Sequence, residues 1–360
     1  MLVCEFMGLT LPKTTPGWIY CIREQDYLDQ TWGRYVKLGL TARTVEQRIR
    51  EHQTGNPRRE TSEYDIQLEL MHYGEKYLHH YFAADRIGGE WFDLDNQQVM
   101  TDVAPILQTL QSEMAARAAD FRAWESLKNV VSSGNERAPT AAETALHEQF
   151  VAAEADYKIA EALHKVHDHN LRAMIGTHDG LEGALTLTEV TGSETLDKTA
   201  FMAMLTPAQL ALCDETKTSV KGSLSMKGKR SLKVADPAVD DALKAAKAGV
   251  TSKPDLSNLT ASPLGLTPAI KQEHMLFLQS KRALKVAEWA CLQLMAQLVA
   301  ALGTDDAITG VITWKRREET TTSFSSKLAK EHFPSEYLAC MTQQPNSVRV
   351  NVHEGRKYLP

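Results

Sequence analysis

A register of 127 residues runs through the C-terminal part of this chain and constrains it to a fold built twice. The shift aligns Lys158-Ile159-Ala160-Glu161 with Lys285-Val286-Ala287-Glu288, and Gly176-Thr177-His178-Asp179 with Gly303-Thr304-Asp305-Asp306. It also pairs Gly183 with Gly310, Thr186 with Thr313, Pro207 with Pro334, Cys213 with Cys340 and Gly228 with Gly355. Matches held in one register over roughly seventy positions do not come from composition. Each copy reads as a long helix, a Gly-Thr-x-Asp turn, a strand pair, a short helix after the proline and a last strand. Repeat units are expected over 146–235 and 273–360. The Ala-, Ser- and Pro-rich stretch 236–272 between them reads as a linker with one helical segment.

The N-terminal quarter has another pattern. Trp18-Ile19-Tyr20-Cys21-Ile22 and Tyr35-Val36-Lys37-Leu38-Gly39-Leu40 have strand character, with a polar, turn-forming link over 26–33. Thr44 predicts the N-cap of a helix through His52, closed by Gly55-Asn56-Pro57. Ile66 to Leu70 alternates like a strand, and 73–85 puts Tyr77, Leu78, Tyr81 and Phe82 on one helical face. Trp91-Phe92-Asp93-Leu94 fits a closing strand. The expected result is a small α+β domain over 1–95 with a three-stranded sheet. An amphipathic helical connector follows over 96–145, broken at Ser132-Ser133-Gly134-Asn135 and Pro139.

The order Gly17-Trp18-Ile19-Tyr20, Val36-Lys37-Leu38-Gly39-Leu40-Thr41, Arg48, Glu75-x-x-Leu78-His79, Arg86 and Gly89-Glu90-Trp91-Phe92 resembles the GIY-YIG nuclease superfamily. It is most similar to the phage-type branch carrying Glu-x-x-Leu-His and Gly-Glu-Trp-Phe. Gly310-x-x-x-Trp314-Lys315, the helix Phe324 to Pro334 and Val348-Arg349-Val350 resemble the tail of YqaJ-type viral recombination exonucleases, without their metal-binding core. Together these resemblances imply a phage or prophage setting and a metal-dependent DNA endonuclease. The C-terminal repeats would bind DNA or a recombination or replication protein. The rival expectation is a non-catalytic protein that binds or inhibits a DNA-processing complex.

The resemblance also assigns roles. Glu75 matches the lone carboxylate holding one divalent ion, Mg²⁺ or Mn²⁺, a hard cation that keeps much of its hydration shell. Tyr20 matches the tyrosine that takes the proton of the attacking water. An unperturbed tyrosine titrates near ~10, so that role requires the metal and Arg48 to lower it. Arg48 matches the arginine that stabilises charge on the phosphoryl group. Lys37 stands where the name motif has its second tyrosine, and its ammonium is suited to phosphate or water. His79 lies one turn beyond Glu75 on the same helical face, as a catalytic candidate or a packing imidazole. His52 reads first as a helix-end histidine. Trp91 and Phe92 read as core, and Gly17 and Gly39 as backbone geometry.

Bulk properties set the frame. A chain of 360 residues with 43% hydrophobic and 24% charged residues is ordinary globular protein, long enough for two or three domains. No apolar run approaches the roughly 18–20 residues of a membrane span, and Met1 to Met7 lacks signal-peptide character. The expected setting is the cytoplasm, with no membrane partner. Five scattered cysteines, none in a C-x-x-C pair, argue against a zinc site or disulfide framework. The net charge of −6 is unfavourable for a DNA enzyme, so distribution decides. Lys217, Lys221, Lys227, Lys229, Arg230 and Lys233 fall in one stretch without a carboxylate and form the candidate DNA-binding segment.

Overall fold

The computed structural model describes residues 9–54, 56–250 and 262–358. The readings on Met1 to Met7, on Gly55 and on 251–261 of the linker fall outside these residues.

β1 (Gly17–Gln25) and β2 (Trp32–Thr41) form a hairpin, followed by helix α1 (Val45–Gln53), whose N-cap Thr44 accepts from the Gln47 amide. β3 (Arg59–Leu68), α2 (Met71–Tyr81), β4 (Arg86–Gly88) and β5 (Trp91–Phe92) complete the unit. The sheet has five strands, in the order β3-β1-β2-β5-β4, rather than the three expected. The extra pairing arises because Gly89, at φ +56°, reverses the chain and lays Arg86–Gly88 beside Trp91–Phe92. β3 also begins seven residues earlier than its alternation predicts, because nearly all of β1 supplies it with backbone partners. Its polar half, Arg59 to Glu63, carries no strand pattern, so sequence periodicity misses it.

Ile19, Cys21, Val36 and Leu38 point to one face of the sheet, where they pack with residues of α2 and of the next long helix. Tyr20 and Ile22 point to the other face and pack with Val45 of α1. A helical run continues through α3 (Asn96–Gln98), a π-turn (Val99–Val103) and α4 (Ala104–Leu127), then the short strand β6 (Glu136–Arg137).

The next half contains α5 (Ala141–Met174), β7 (Gly180–Leu181), β8 (Leu185–Val190) and β9 (Glu194–Leu196). It ends with α6 (Lys198–Met204), α7 (Pro207–Ala211), β10 (Asp214–Lys221) and β11 (Leu224–Met226). α8 (Leu232–Ala235) and α9 (Pro237–Gly249) follow, so the expected linker opens with a helix that packs on α5. The last half contains α10 (Pro268–Leu302), β12 (Ala307–Ile308), β13 (Ile312–Trp314) and β14 (Arg317–Phe324). It closes with α11 (Ser326–His332), α12 (Pro334–Ala339), β15 (Met341–Gln343) and β16 (Ser347–Val352).

The element order of the two halves is the same, and their starts fall at or near the 127-residue spacing, as at Ala141 and Pro268. Gly176 and Gly303 sit at φ +58° and +56°, and Gly183 and Gly310 at +67° and +76°, a backbone region in which other residues are strained. The halves are not separate bodies. β8 pairs with β16 and β13 with β11; β9 pairs with β15 and β10 with β14. Each of these ladders takes one strand from each half. The parallel pairing of Ile308 with Arg137 has its counterpart in a bridge between Leu181 and Leu264.

α5 and α10 pack on each other at the centre, and α10 also touches α2 and α4. α10 is long and apolar enough to cross a membrane by length and composition alone, but Leu292, Met295, Leu298 and Val299 are buried within the protein core. Trp289 of α10 stacks on Phe121 and lies against Tyr73, joining the sheet domain to the paired halves in one core.

Candidate active site

Tyr20 is 1% exposed and lies opposite Gly39 in the β1–β2 ladder. A Cβ on Gly39 would fall 2.6 Å from the Tyr20 hydroxyl oxygen and within 2.8 Å of its ring. Gly39 therefore opens the space across which the ring lies. Gly17 has a comparable duty, since a Cβ there would meet the Met71 sulfur and the Thr41 carbonyl.

Arg48, one turn into α1, interacts electrostatically with the Tyr20 hydroxyl and pairs with Glu51 at 3.2 Å. Burial raises the Tyr20 pKa; Arg48 lowers it, and Glu90 and Glu75 raise it again, with a net upward shift. The protein alone thus keeps this phenol protonated, and its use as a base requires a further cation.

Lys37 follows on β2, and its Nζ lies 2.9 Å from His52 Nδ1 and 3.6 Å from a Glu90 carboxylate oxygen. An ammonium only donates, so His52 Nδ1 accepts and its proton sits on Nε2. Burial, then Lys37 and Arg48, depress the His52 pKa, consistent with a neutral ring. Glu60 Oε2, buried and without a hydrogen-bond partner, stands 3.6 Å from the same Nδ1. His52 is thus part of the cluster and not a solvent-facing helix end.

Glu75, on the α2 side, is the most perturbed carboxyl of the group. Burial and the neighbouring Glu90 push its pKa up to about 7, against a smaller opposing effect of Arg86. His79, one turn on, holds Leu38 O at 2.9 Å through Nε2 and packs on Phe92. Burial keeps it neutral. With Nε2 donating to a carbonyl, His79 ties α2 to β2 and leaves only Nδ1 free for other chemistry. Trp91 is partly buried and Phe92 fully buried, directly beside Lys37 and Val36.

Glu90 stands inside the Gly-Glu-Trp-Phe motif, but motif reading gives it no role of its own; it is partly buried in the Gly-Glu turn. Its backbone carbonyl accepts from Leu38 N at 2.9 Å, which fixes it beside Lys37. On the same side of β2, a groove of about 660 Å³ is lined by Tyr35, Trp91, Arg34 and Arg58, with Glu24 at one wall.

The candidate DNA-binding cations divide into two groups. Lys217 and Lys221 lie on the β10–β14 ribbon, where Glu215 is 2.9 Å from Lys217 and Glu319 is 3.6 Å from Lys221. Lys227, Lys229, Arg230 and Lys233 are exposed on the segment after β11. That segment is tied to α5 by His147, bonded to Lys227 O, and by Lys158, bonded to Arg230 O.

Residues 17–106 match the T5orf172 domain. This is a phage-associated, nuclease-type domain, and the match spans the sheet, α1, α2 and the site just described. No curated protein and no solved structure matches the chain.

Proposed function

We propose that the chain is a divalent-metal-dependent DNA endonuclease of the GIY-YIG type, from a phage or prophage setting. The observation that carries this reading is the convergence of Tyr20, Lys37, Arg48 and His52 on one face of the sheet, in electrostatic reach of Glu75 and Glu90. Two neighbouring carboxylates, one pushed up to about 7 by burial and like charge, form a donor set suited to a hard cation. No group of three or more acidic, His or Cys side chains placed to hold a metal occurs among the described residues. An ion here would therefore be held by Glu75, with help from Glu90, and otherwise by phosphate oxygens and water. A bound Mg²⁺ or Mn²⁺ would make the attacking water more acidic and offset charge at phosphorus.

The chain's own residues do the rest. Arg48 orients the Tyr20 hydroxyl and stabilises charge on the phosphoryl oxygens. Lys37, held by His52 and Glu90, offers an ammonium to the phosphate. Tyr20 positions the water and accepts its proton once nearby positive charge has lowered the phenol. DNA affinity comes from the exposed cations Lys227 to Lys233. The paired halves then serve as a DNA-binding or recombination-partner module.

Plasmid nicking with and without Mg²⁺, beside Glu75→Ala and Arg48→Ala, tests the assignment. Loss of a charge-stabilising donor costs about 10²–10³ in rate. Full cleavage by Glu75→Ala in clean Mg²⁺ buffer overturns it. Tight DNA binding without cleavage by the unmodified chain would favour the non-catalytic rival.

A further inference from the structure

The turn that carries Glu90 is held from the far end of the chain. Arg86, which opens β4, donates from Nε to Gly89 O at 2.6 Å and from Nη1 to a Glu354 carboxylate oxygen at 3.1 Å. The other oxygen of Glu354 accepts from Lys281 Nζ of α10 at 2.7 Å. Next in the chain, a Cβ on Gly355 would fall 2.5 Å from Arg86 O, so only glycine fits there without a shift. The Arg356 amide then donates to that same Arg86 carbonyl at 2.7 Å. The Arg356 guanidinium faces Asp85 at 3.7 Å and Asp93 at 3.9 Å, on both sides of the β4–β5 hairpin.

This tail is itself anchored. The His353 amide donates to Ala184 O, His353 Nδ1 bonds Gly183 O at 2.9 Å, and His274 Nε2 bonds His353 O at 2.8 Å. The contacts therefore run from the paired halves, through residues 353–356, to the hairpin that presents Glu90.

We propose that Glu354, Gly355 and Arg356 are positioning residues of the nuclease site. They fix Arg86 and the Gly89–Glu90 turn, and so set Glu90 against Lys37 and Glu75. This rests on the nuclease reading above. The C-terminal half then does more than bind: it completes the geometry of a site over 250 residues away in sequence, and a ligand that shifts the tail would change the cut. The Glu354 side chain is half-exposed; partial desolvation opposes its ionisation, but Lys281 and then Arg86 bring its pKa down to about 2, so the bridging charge persists at neutral pH.

The test uses the full chain with Glu354→Gln and, separately, Gly355→Ala, which leaves every charge in place. Glutamine replaces one of the two acceptor oxygens by an NH2 donor, which would face Lys281 or Arg86. Three quantities are measured: DNA affinity in EDTA, turnover at saturating DNA, and amide exchange at Leu38, whose N–H is held by Glu90 O. The expected result is a ten- to hundredfold fall in turnover, about what a misplacement near 1 Å costs. Affinity is unchanged, and Leu38 exchange rises while Ile19 and Ile22 stay protected. Unchanged exchange and turnover in both variants overturn the proposal, and so does a uniform loss of protection across the sheet. If the unmodified chain does not cut but Leu38 exchange still responds, the tail's hold on the hairpin stands and the nuclease reading falls.

Discussion

Glu75 carries an electrostatic load that its surroundings do not relieve. Its folded pKa, about 7, lies above the ordinary glutamate value of 4.5. A raised carboxyl binds its proton more tightly in the fold, so its contribution to stability falls as pH rises from about 4.5 and is fully adverse above 7. In metal-free buffer, Glu75→Gln is therefore expected to stabilise the protein at pH 8 by about 1–2 kcal/mol once solvent screening is allowed for. It should do little at pH 4.5, which thermal melts at the two values will show. Destabilisation at pH 8 would mean that the carboxylate has a partner in the fold. Gly39 gives a second prediction. Gly39→Ala places a methyl in the Tyr20 ring, and overpacking of this kind costs about 1–3 kcal/mol. It should also shift the Tyr20 hydroxyl away from Arg48, visible as an altered tyrosine absorbance titration. The spacing of Tyr20, Arg48 and Glu75 was legible because each stands at a fixed place in a motif. Glu90 stands in the same motif, but its place beside Lys37 and Glu75 was not legible, since it depends on a backbone bond to Leu38 and on neighbours distant in sequence.

At the level of elements, pairing partners change what a stretch of sequence means. Lys217 to Lys233 contains no carboxylate, yet β14 lays Glu318 and Glu319 beside β10, and Glu215 reaches Lys217. The ribbon is thus close to neutral, and the exposed charge lies after β11. Lys227→Glu with Arg230→Glu should weaken DNA binding and lower the slope of log affinity against log salt by about 0.9 for each phosphate no longer neutralised. Lys217→Glu with Lys221→Glu should do distinctly less. Equal effects in a salt titration would place the DNA on the ribbon instead. Helix ends show the same dependence on partners. Arg316 is fully buried and donates to Leu127 O at 3.3 Å and to Gly303 O at 2.7 Å, at the C-termini of α4 and α10. Cations are favoured at such ends, but nothing local in Trp314-Lys315-Arg316-Arg317 distinguishes Arg316 from its neighbours. Arg316→Met should cost about 2–4 kcal/mol in urea unfolding, because both carbonyls lose a charged donor.

Across the whole molecule, the register of 127 residues predicts two like units, and the two halves share an element order, but the register does not say how they combine. Periodicity and turn residues fix which elements form; they carry no information on whether a strand pairs within its own unit or with the other. Here the strands cross over, so that β8, β9, β10 and β11 find their partners in the last hundred residues. Burial follows the same division: Phe201 and Cys213 share a cluster with Ala329 and Cys340, while Leu171 and Leu185 share one with Ile270 and Leu278. We propose that the halves are one unit duplicated and interleaved, and this has a direct consequence for the chain cut in two. A polypeptide ending at 250 leaves four strands with unpaired edges and α5 without α10, and unpaired backbone groups and an open apolar face favour aggregation. Expressed alone, 1–250 and 262–360 should each be insoluble or lack a cooperative thermal transition. Expressed together, they should co-purify as a one-to-one complex whose circular dichroism matches that of the intact chain. A soluble, cooperatively folding 1–250 fragment would show that the first half closes on itself, and that the exchanged pairing is not what stabilises it.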